Sequence, residues 1–214
     1  MSSTEVLEVS EEALEHLAKA DDVMAKLIEE HGPLDLDKRT AARPADAYGA
    51  LLRSIVGQQL SVKAARSIYE RLLDQFGGTT PTPKELLAAD PEAVRSAGLS
   101  RPKVKYIRSL AEHVQDGELH LDSLDDMSDD AVIAELTAVK GLGEWTAHMF
   151  LLFHLRRPDV LAVGDLGIRR AVERLYGLEG LPDTETLERL AERWAPYRSL
   201  ACLYLWHSLD NAPV

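Results

Sequence analysis

The chain predicts an all-α fold, and three features predict it. Helix-start signals recur along its length, with Ser, Thr or Asp standing before an apolar stretch and Pro often following. Apolar residues repeat at three- and four-residue steps, which line one face of a helix. The strict alternation of a half-buried strand is absent, as are a βαβ unit and a repeat period. Roughly ten helices joined by short loops follow.

The elements come in this order. Ser10 precedes Leu14, Leu17 and Ala18, and Val23, Leu27 and Ile28 form a second apolar side that Gly32-Pro33 closes. Ala47 to Ile55 continues the pattern. Ser61 can cap a helix whose stripe is Val62, Ala65, Tyr69, Leu72 and Phe76, ended by Gly77-Gly78. Thr82-Pro83-Lys84-Glu85 reads as a capping box with Pro in the first turn, and Asp90-Pro91 repeats the start signal. Val104, Ile107, Leu110 and Val114 mark another helix, and Ser128 opens the next. Trp145 to Phe153 is apolar nearly all round, which predicts a buried helix, and Pro158 stops it. Asp165 precedes Ile168, Val172 and Leu175, and Gly177 closes that helix. Asp183 opens one carrying Leu187, Leu190 and Trp194. Pro196 opens the last, with Leu200, Leu203, Tyr204 and His207.

Composition narrows the function classes. At 214 residues, 45% hydrophobic and 28% charged, the chain is an ordinary globular protein of one or two domains. The single cysteine, Cys202, excludes a disulfide framework, a Cys-rich zinc site and a four-cysteine iron–sulfur cluster. No run of eighteen apolar residues occurs, and the start carries no basic-then-apolar secretory pattern, so no membrane partner and a cytoplasmic location are expected. The zinc motif His-Glu-x-x-His, the Gly-x-Ser-x-Gly elbow and the Walker loop are absent.

The net charge of −12 argues against a nucleic-acid partner, but the charge is sorted by segment. Residues 1–37 hold eleven acids and two bases, and residues 116–135 hold eight acids and no base. Residues 95–108 carry Arg95, Arg101, Lys103, Lys105 and Arg108 with no acid, and residues 53–71 carry Arg53, Lys63, Arg66 and Arg71 against Glu70. One face can be cationic, or these can be solvated helix faces.

The stretch Leu136-Thr137-Ala138-Val139-Lys140-Gly141-Leu142-Gly143-Glu144-Trp145 is the most informative. One helix ends near Thr137 and another begins near Glu144. Glycines at 141 and 143 permit left-handed angles, so successive N–H groups can converge on one point. The following helix start adds its free N–H groups and the positive end of its dipole. An anion cradle results that needs no side-chain charge, with Lys140 as an added cation. A plain turn between two helices is the alternative.

Twenty-two residues beyond Gly143 stands Asp165, in Leu161-Ala162-Val163-Gly164-Asp165-Leu166-Gly167. Hairpin and aspartate together resemble the helix–hairpin–helix (HhH-GPD) DNA glycosylases, and within them the alkylpurine, 3-methyladenine DNA glycosylase II branch. Gly57-Gln58-Gln59-Leu60-Ser61 is similar to that branch's interhelical loop. Ala191-Glu192-Arg193-Trp194-Ala195-Pro196-Tyr197-Arg198-Ser199, running to Leu205-Trp206, is similar to its C-terminal segment. The likeness covers residues 44–210. It implies a two-lobed helical glycosylase fold. Residues 1–43 and 166–214 would form a terminal-helices lobe, and 44–165 a central domain with the hairpin motif at about 136–154. It further implies a compact form without the N-terminal β domain of the best-known bacterial relatives.

The resemblance also implies roles. Asp165 becomes the catalytic aspartate, a role compatible with capping, because a helix start favours a negative charge. Trp145 and Trp206 match base-pocket aromatics, though tryptophans on apolar helices are commonly core. Met149 stands where relatives can carry another aromatic. Bifunctional members place a lysine at the position of Trp145, so the chain resembles the monofunctional ones, which use water and leave an abasic site. Gln59 or Leu60 takes the wedge site that fills the gap left by a flipped base, and Gln58-Gln59 can equally cap a helix end. The carbonyls of Thr137, Val139 and Leu142 match those that hold a Na⁺ or K⁺ in the family, and no other cofactor is implied. The expected partner is double-stranded DNA with alkylated bases, met by a monomer and associated with the nucleoid in a bacterium. A non-catalytic hairpin module that binds DNA is the alternative, and a glycosylase of an oxidised-base or mismatch branch is a third.

Overall fold

The structure, a computed structural model, describes residues 6–36 and 43–209. Among them are twelve α-helices, two short 3-10 segments and no strand, which is the predicted all-α class. No helix among the described residues is long and apolar enough to cross a membrane. The chain falls into two compact units, one within Met1–Ala42 and Leu151–Val214 and the other Arg43–Phe150. The sequence-based division groups 151–165 with the central segment. Its backbone is instead tied to the C-terminal helix, and it belongs to the terminal unit.

The central unit begins with α3 (Ala47–Gly57), capped by Asp46, whose Oδ1 accepts from Gly49 N at 2.7 Å. After a turn comes α4 (Val62–Asp74), capped by Ser61. The two six-residue helices α5 (Pro83–Ala88) and α6 (Pro91–Ser96) start at the Thr82–Glu85 capping box and at Asp90. Helix α7 (Arg101–Gln115) is the hub, burying Val104, Ile107, Leu110 and Ala111 and packing on α3, α5 and α6. A 3-10 segment (Leu121–Asp126) leads to α8 (Asp129–Thr137) and then α9 (Glu144–Phe153).

Several bases of the segments read as cationic turn inward. Arg108 donates to the carbonyls of Leu86, Leu87 and Ala89, satisfying the C-terminus of α5. Arg71 does the same for Ala97. Arg95 and Arg66 pair with Glu92 and Glu70. Some of these bases therefore cap helix ends, while Lys63, Arg66, Arg71, Arg95, Arg101 and Lys105 are all exposed.

In the terminal unit, α1 (Glu11–Ala20) starts at Ser10 and α2 (Asp22–His31) at Asp21. Helix α10 (Leu166–Tyr176) runs from Asp165 to the left-handed Gly177. Helix α11 (Thr184–Ala191) passes into a 3-10 turn (Glu192–Trp194), so Trp194 is not on the helix that the sequence assigns it. The last helix, α12 (Arg198–His207), is buried from Ser199 to Trp206. It opens at Arg198 and not at Pro196. Its first N–H groups, those of Arg198 and Ser199, donate to Asp159 Oδ1 and Pro158 O at 3.1 and 3.0 Å. The cap comes from forty residues away in sequence or thereabouts, where no local signal can announce it.

Asp21 holds this unit together. It is 4% exposed and accepts four bonds: Val23 N and Met24 N on Oδ1, Tyr176 Oη (2.6 Å) and Trp194 Nε1 (2.9 Å) on Oδ2. Burial, and then Asp21 itself, raise the Tyr176 pKa, so the phenol stays a donor. Asp21→Ala leaves the buried Trp194 Nε1 and the half-buried Tyr176 Oη without their acceptor and removes a cap. The expected cost is about 3 kcal/mol or more, read as a lower midpoint in urea denaturation with an unchanged slope.

Candidate active site

The hairpin lies in the central unit. α8 ends at Thr137 and α9 begins at Glu144, as the sequence predicts. Two tight turns join them, with Val139 N donating to Leu136 O and Leu142 N to Val139 O. Only one of the two glycines is left-handed. Gly141 has φ 98°, and a Cβ there would lie 2.3–2.7 Å from the Tyr106 ring. Gly143 does not have a positive φ, and a Cβ there meets no atom of the chain within 4 Å. The expectation that both take left-handed angles is corrected: Gly141 shapes the turn, and Gly143 keeps the start of α9 open. Lys140 is exposed beside them.

The turn between α3 and α4 is locked to this hairpin. Gln58 Nε2 donates to Gly141 O at 2.8 Å. Lys103 Nζ donates to Val56 O and Gln58 O at 2.8 and 2.6 Å, and burial lowers its pKa. Lys103 and Tyr106 are three residues apart on α7 and share a face, so one helix braces both the turn and the hairpin. In the sequence Lys103 reads only as one base of the 95–108 segment, and Tyr106 carries no signal of its role. Gln58 supports the hairpin from within, while Gln59, at φ 57°, and Leu60 stand exposed at the tip. The positive φ of a non-glycine residue costs on the order of 1 kcal/mol, and here the flanking bonds of Gln58 hold it.

Helix α9 carries Trp145 and Met149 one turn apart. The expected burial of the whole helix holds for Thr146 to Phe153, but Trp145 is 38% exposed. Met149 is buried, and so is His148, whose pKa burial lowers.

The terminal unit holds Asp165, 8% exposed. It caps α10 through Oδ1, which accepts from Ile168 N at 2.9 Å. The same oxygen accepts from Trp206 Nε1 at 2.8 Å. Asp165 N in turn donates to Ala162 O. The loop before it is fixed to α12: Ser199 Oγ donates to Arg157 O and accepts from Val160 N, and Arg198 grips Asp159 with two 2.7 Å bonds. Burial pushes the neighbouring Cys202 thiol up to about 12, so it is inert at neutral pH. Trp206 is 1% exposed and stacks on Phe153, with centroids 5.8 Å apart and planes at 22°. Arg169 donates to Pro182 O, and Arg170 is exposed.

The arrangement offers a fixed, buried carboxylate at a helix start, and separately a hairpin whose backbone is open to an anion. Comparison with known proteins agrees with that chemistry. A family model described as HhH-GPD superfamily base excision DNA repair protein matches residues 52–196. DNA-3-methyladenine glycosylase 1 of Schizosaccharomyces pombe is 35% identical over 163 residues, which are 75% of this chain and 72% of that one. A crystal structure of a DNA-3-methyladenine glycosidase from Bacillus halodurans superposes with a TM-score of 0.81 at 38% identity, covering 95% of this chain and 92% of that one. The S. pombe 3-methyladenine DNA glycosylase bound to abasic DNA gives a TM-score of 0.84 at 32% identity, covering 94% and 98%. With a fixed carboxylate, a hairpin of this build and a family match over most of its length, the chain belongs to the HhH-GPD superfamily of base excision DNA repair proteins.

Proposed function

We propose that the protein is a monofunctional DNA glycosylase that hydrolyses the N-glycosidic bond of alkylated purines, 3-methyladenine and 7-methylguanine among them, in duplex DNA. The observation that carries this reading is the Asp165 carboxylate. It is nearly enclosed, sits at the N-terminus of α10 and has one oxygen held by two N–H donors. An alkylated purine is a cation, so it leaves as a neutral base with the electrons of the broken bond and needs no general acid. Positive charge builds on the sugar, and a preorganised carboxylate stabilises it. Water adds to the sugar carbon and gives up a proton, which leaves an abasic site.

Trp145, 38% exposed at the start of α9, supplies the indole on which a cationic base stacks, an attraction of about 0.5–2 kcal/mol. It stands two residues after Gly143, where the bifunctional members that the chain resembles carry the lysine of a Schiff base. Met149 lies buried one turn further on. Gln59 or Leu60, exposed at a braced tip, fills the gap left by the flipped base and offsets an unstacking cost of a few kcal/mol. Gly141, Gly143 and Lys140 meet the phosphate backbone, and Gln58 supports them through the Gly141 carbonyl. A Na⁺ or K⁺ at the hairpin would be held by the carbonyls of Thr137, Val139 and Leu142. Val139 O accepts from Leu142 N, and a carbonyl oxygen has a second lone pair to offer. The ion would stiffen the turn. A DNA substrate places the enzyme with the genome, in the cytoplasm and at the nucleoid of a bacterial cell, and one copy suffices.

The test is incubation with methylated duplex DNA and chromatography of the released bases. Release of 3-methyladenine or 7-methylguanine without borohydride-trapped protein–DNA adduct is expected. Release of oxidised bases alone, or a trapped adduct, contradicts the reading. Binding without any release supports a non-catalytic module instead.

A further inference from the structure

Trp206 is too enclosed to serve as a wall for a flipped base. Its indole is 1% exposed, with Phe153 stacked along it. What it offers is one N–H, and that donates to Asp165 Oδ1 at 2.8 Å. Gly167 completes the arrangement. A Cβ at 167 would lie 2.9 Å from Asp165 Oδ1 and 3.1 and 3.2 Å from Trp206 Cδ1 and Nε1. Both ends of the hydrogen bond converge on that point, so any side chain there drives them apart. Glycine is a poor helix former, and Gly167 does not have a positive φ. Its presence in the first turn of α10 is explained by space alone.

We infer that Trp206 is a positioning residue: its indole N–H fixes the rotamer of the Asp165 carboxylate, and Gly167 keeps the room in which that bond forms. The inference rests on the glycosylase reading of Asp165. It goes beyond that reading by moving Trp206 from the base pocket to the support of the carboxylate. Selection among alkylated bases therefore does not pass through residue 206.

The experiment compares wild type, Trp206→Phe and Gly167→Ala in single-turnover release from duplexes carrying 3-methyladenine and, separately, 7-methylguanine. Phe keeps a ring and loses the N–H. Release falls about 10- to 100-fold in both variants, the loss expected for a charge-assisted hydrogen bond. It falls by the same factor for both bases, and affinity for abasic-site DNA is unchanged. The second readout needs no activity. Among the indole N–H signals in proton NMR, that of Trp206 moves upfield in Asp165→Ala while that of Trp194, bonded to Asp21, stays. Wild-type rates in Trp206→Phe overturn the inference. So does a fall that differs between the two bases, which a pocket wall produces, or an indole signal indifferent to Asp165→Ala. If Trp206→Phe fails to fold, Gly167→Ala and the indole signal decide. Absence of release by wild type refutes the enzymatic reading itself, whereas the indole signal reports the hydrogen bond in either case.

Discussion

Asp165→Asn abolishes base release and leaves a folded protein that still binds damaged duplex. The two parts of this expectation have different causes. Asn is as good an N-cap as Asp, and its side-chain oxygen can accept from both Ile168 N and Trp206 Nε1. The start of α10 is therefore kept, and thermal stability changes little. The negative charge is lost, and with it the stabilisation of the sugar cation. Losing a preorganised electrostatic group of this kind costs at least about 10²–10³ in rate. Single-turnover release and a gel-shift titration with abasic-site DNA measure the two parts. Near-normal release from the variant removes Asp165 from the chemistry. Loss of binding together with release would show that the carboxylate acts through the fold.

Gly141→Ala unfolds the hairpin, and Gly143→Ala does not. At 141 a methyl meets the Tyr106 ring at 2.3–2.7 Å, and φ of 98° is itself unfavourable for alanine. Overpacking and backbone strain together cost about 2–5 kcal/mol. The loss of the Gly141 carbonyl's place also frees Gln58, and with it the tip that carries Gln59 and Leu60. Urea denaturation shows the stability loss and DNA binding is lost with it. The double variant Gly141→Ala with Tyr106→Ala recovers only a small part of the stability, because it removes the contacts with Cγ and Cδ1 and keeps both the 2.5 Å contact with the Cβ of residue 106 and the backbone strain. At 143 the methyl meets nothing in the protein. Stability falls by about 1 kcal/mol, since Ala is a poorer N-cap than Gly but adds no clash. DNA affinity falls nonetheless, because the methyl stands where a phosphate must approach the amides. Unchanged affinity in Gly143→Ala would show that the start of α9 does not face DNA.

The sequence made most of the helix starts legible, because caps are local. Ser10, Ser61, the Thr82–Glu85 box, Asp90, Ser128, Asp165 and Asp183 each bond within three residues of themselves. The start of α12 was not legible, since its cap is Asp159, and neither was the end of α11, where Trp194 leaves the helix to reach Asp21. The roles of single bases in the basic segments were hidden for a related reason. Arg108 and Lys103 read only as charges in a list of letters and serve as half-buried donors to backbone carbonyls in the fold.

By itself, the sequence determined the all-α class, the positions of the hairpin and of the aspartate, and the family resemblance, all of which depend on residues near one another in the chain. The tertiary structure decided which glycine shapes the turn, that Gln58 is a brace, and that the Trp206 N–H meets the Asp165 carboxylate with Gly167 close against both. Those assignments depend on what approaches from elsewhere in the chain. A hydrogen bond across forty-one residues, or a ring pressed against a bare Cα, leaves no periodicity or spacing to be read beforehand.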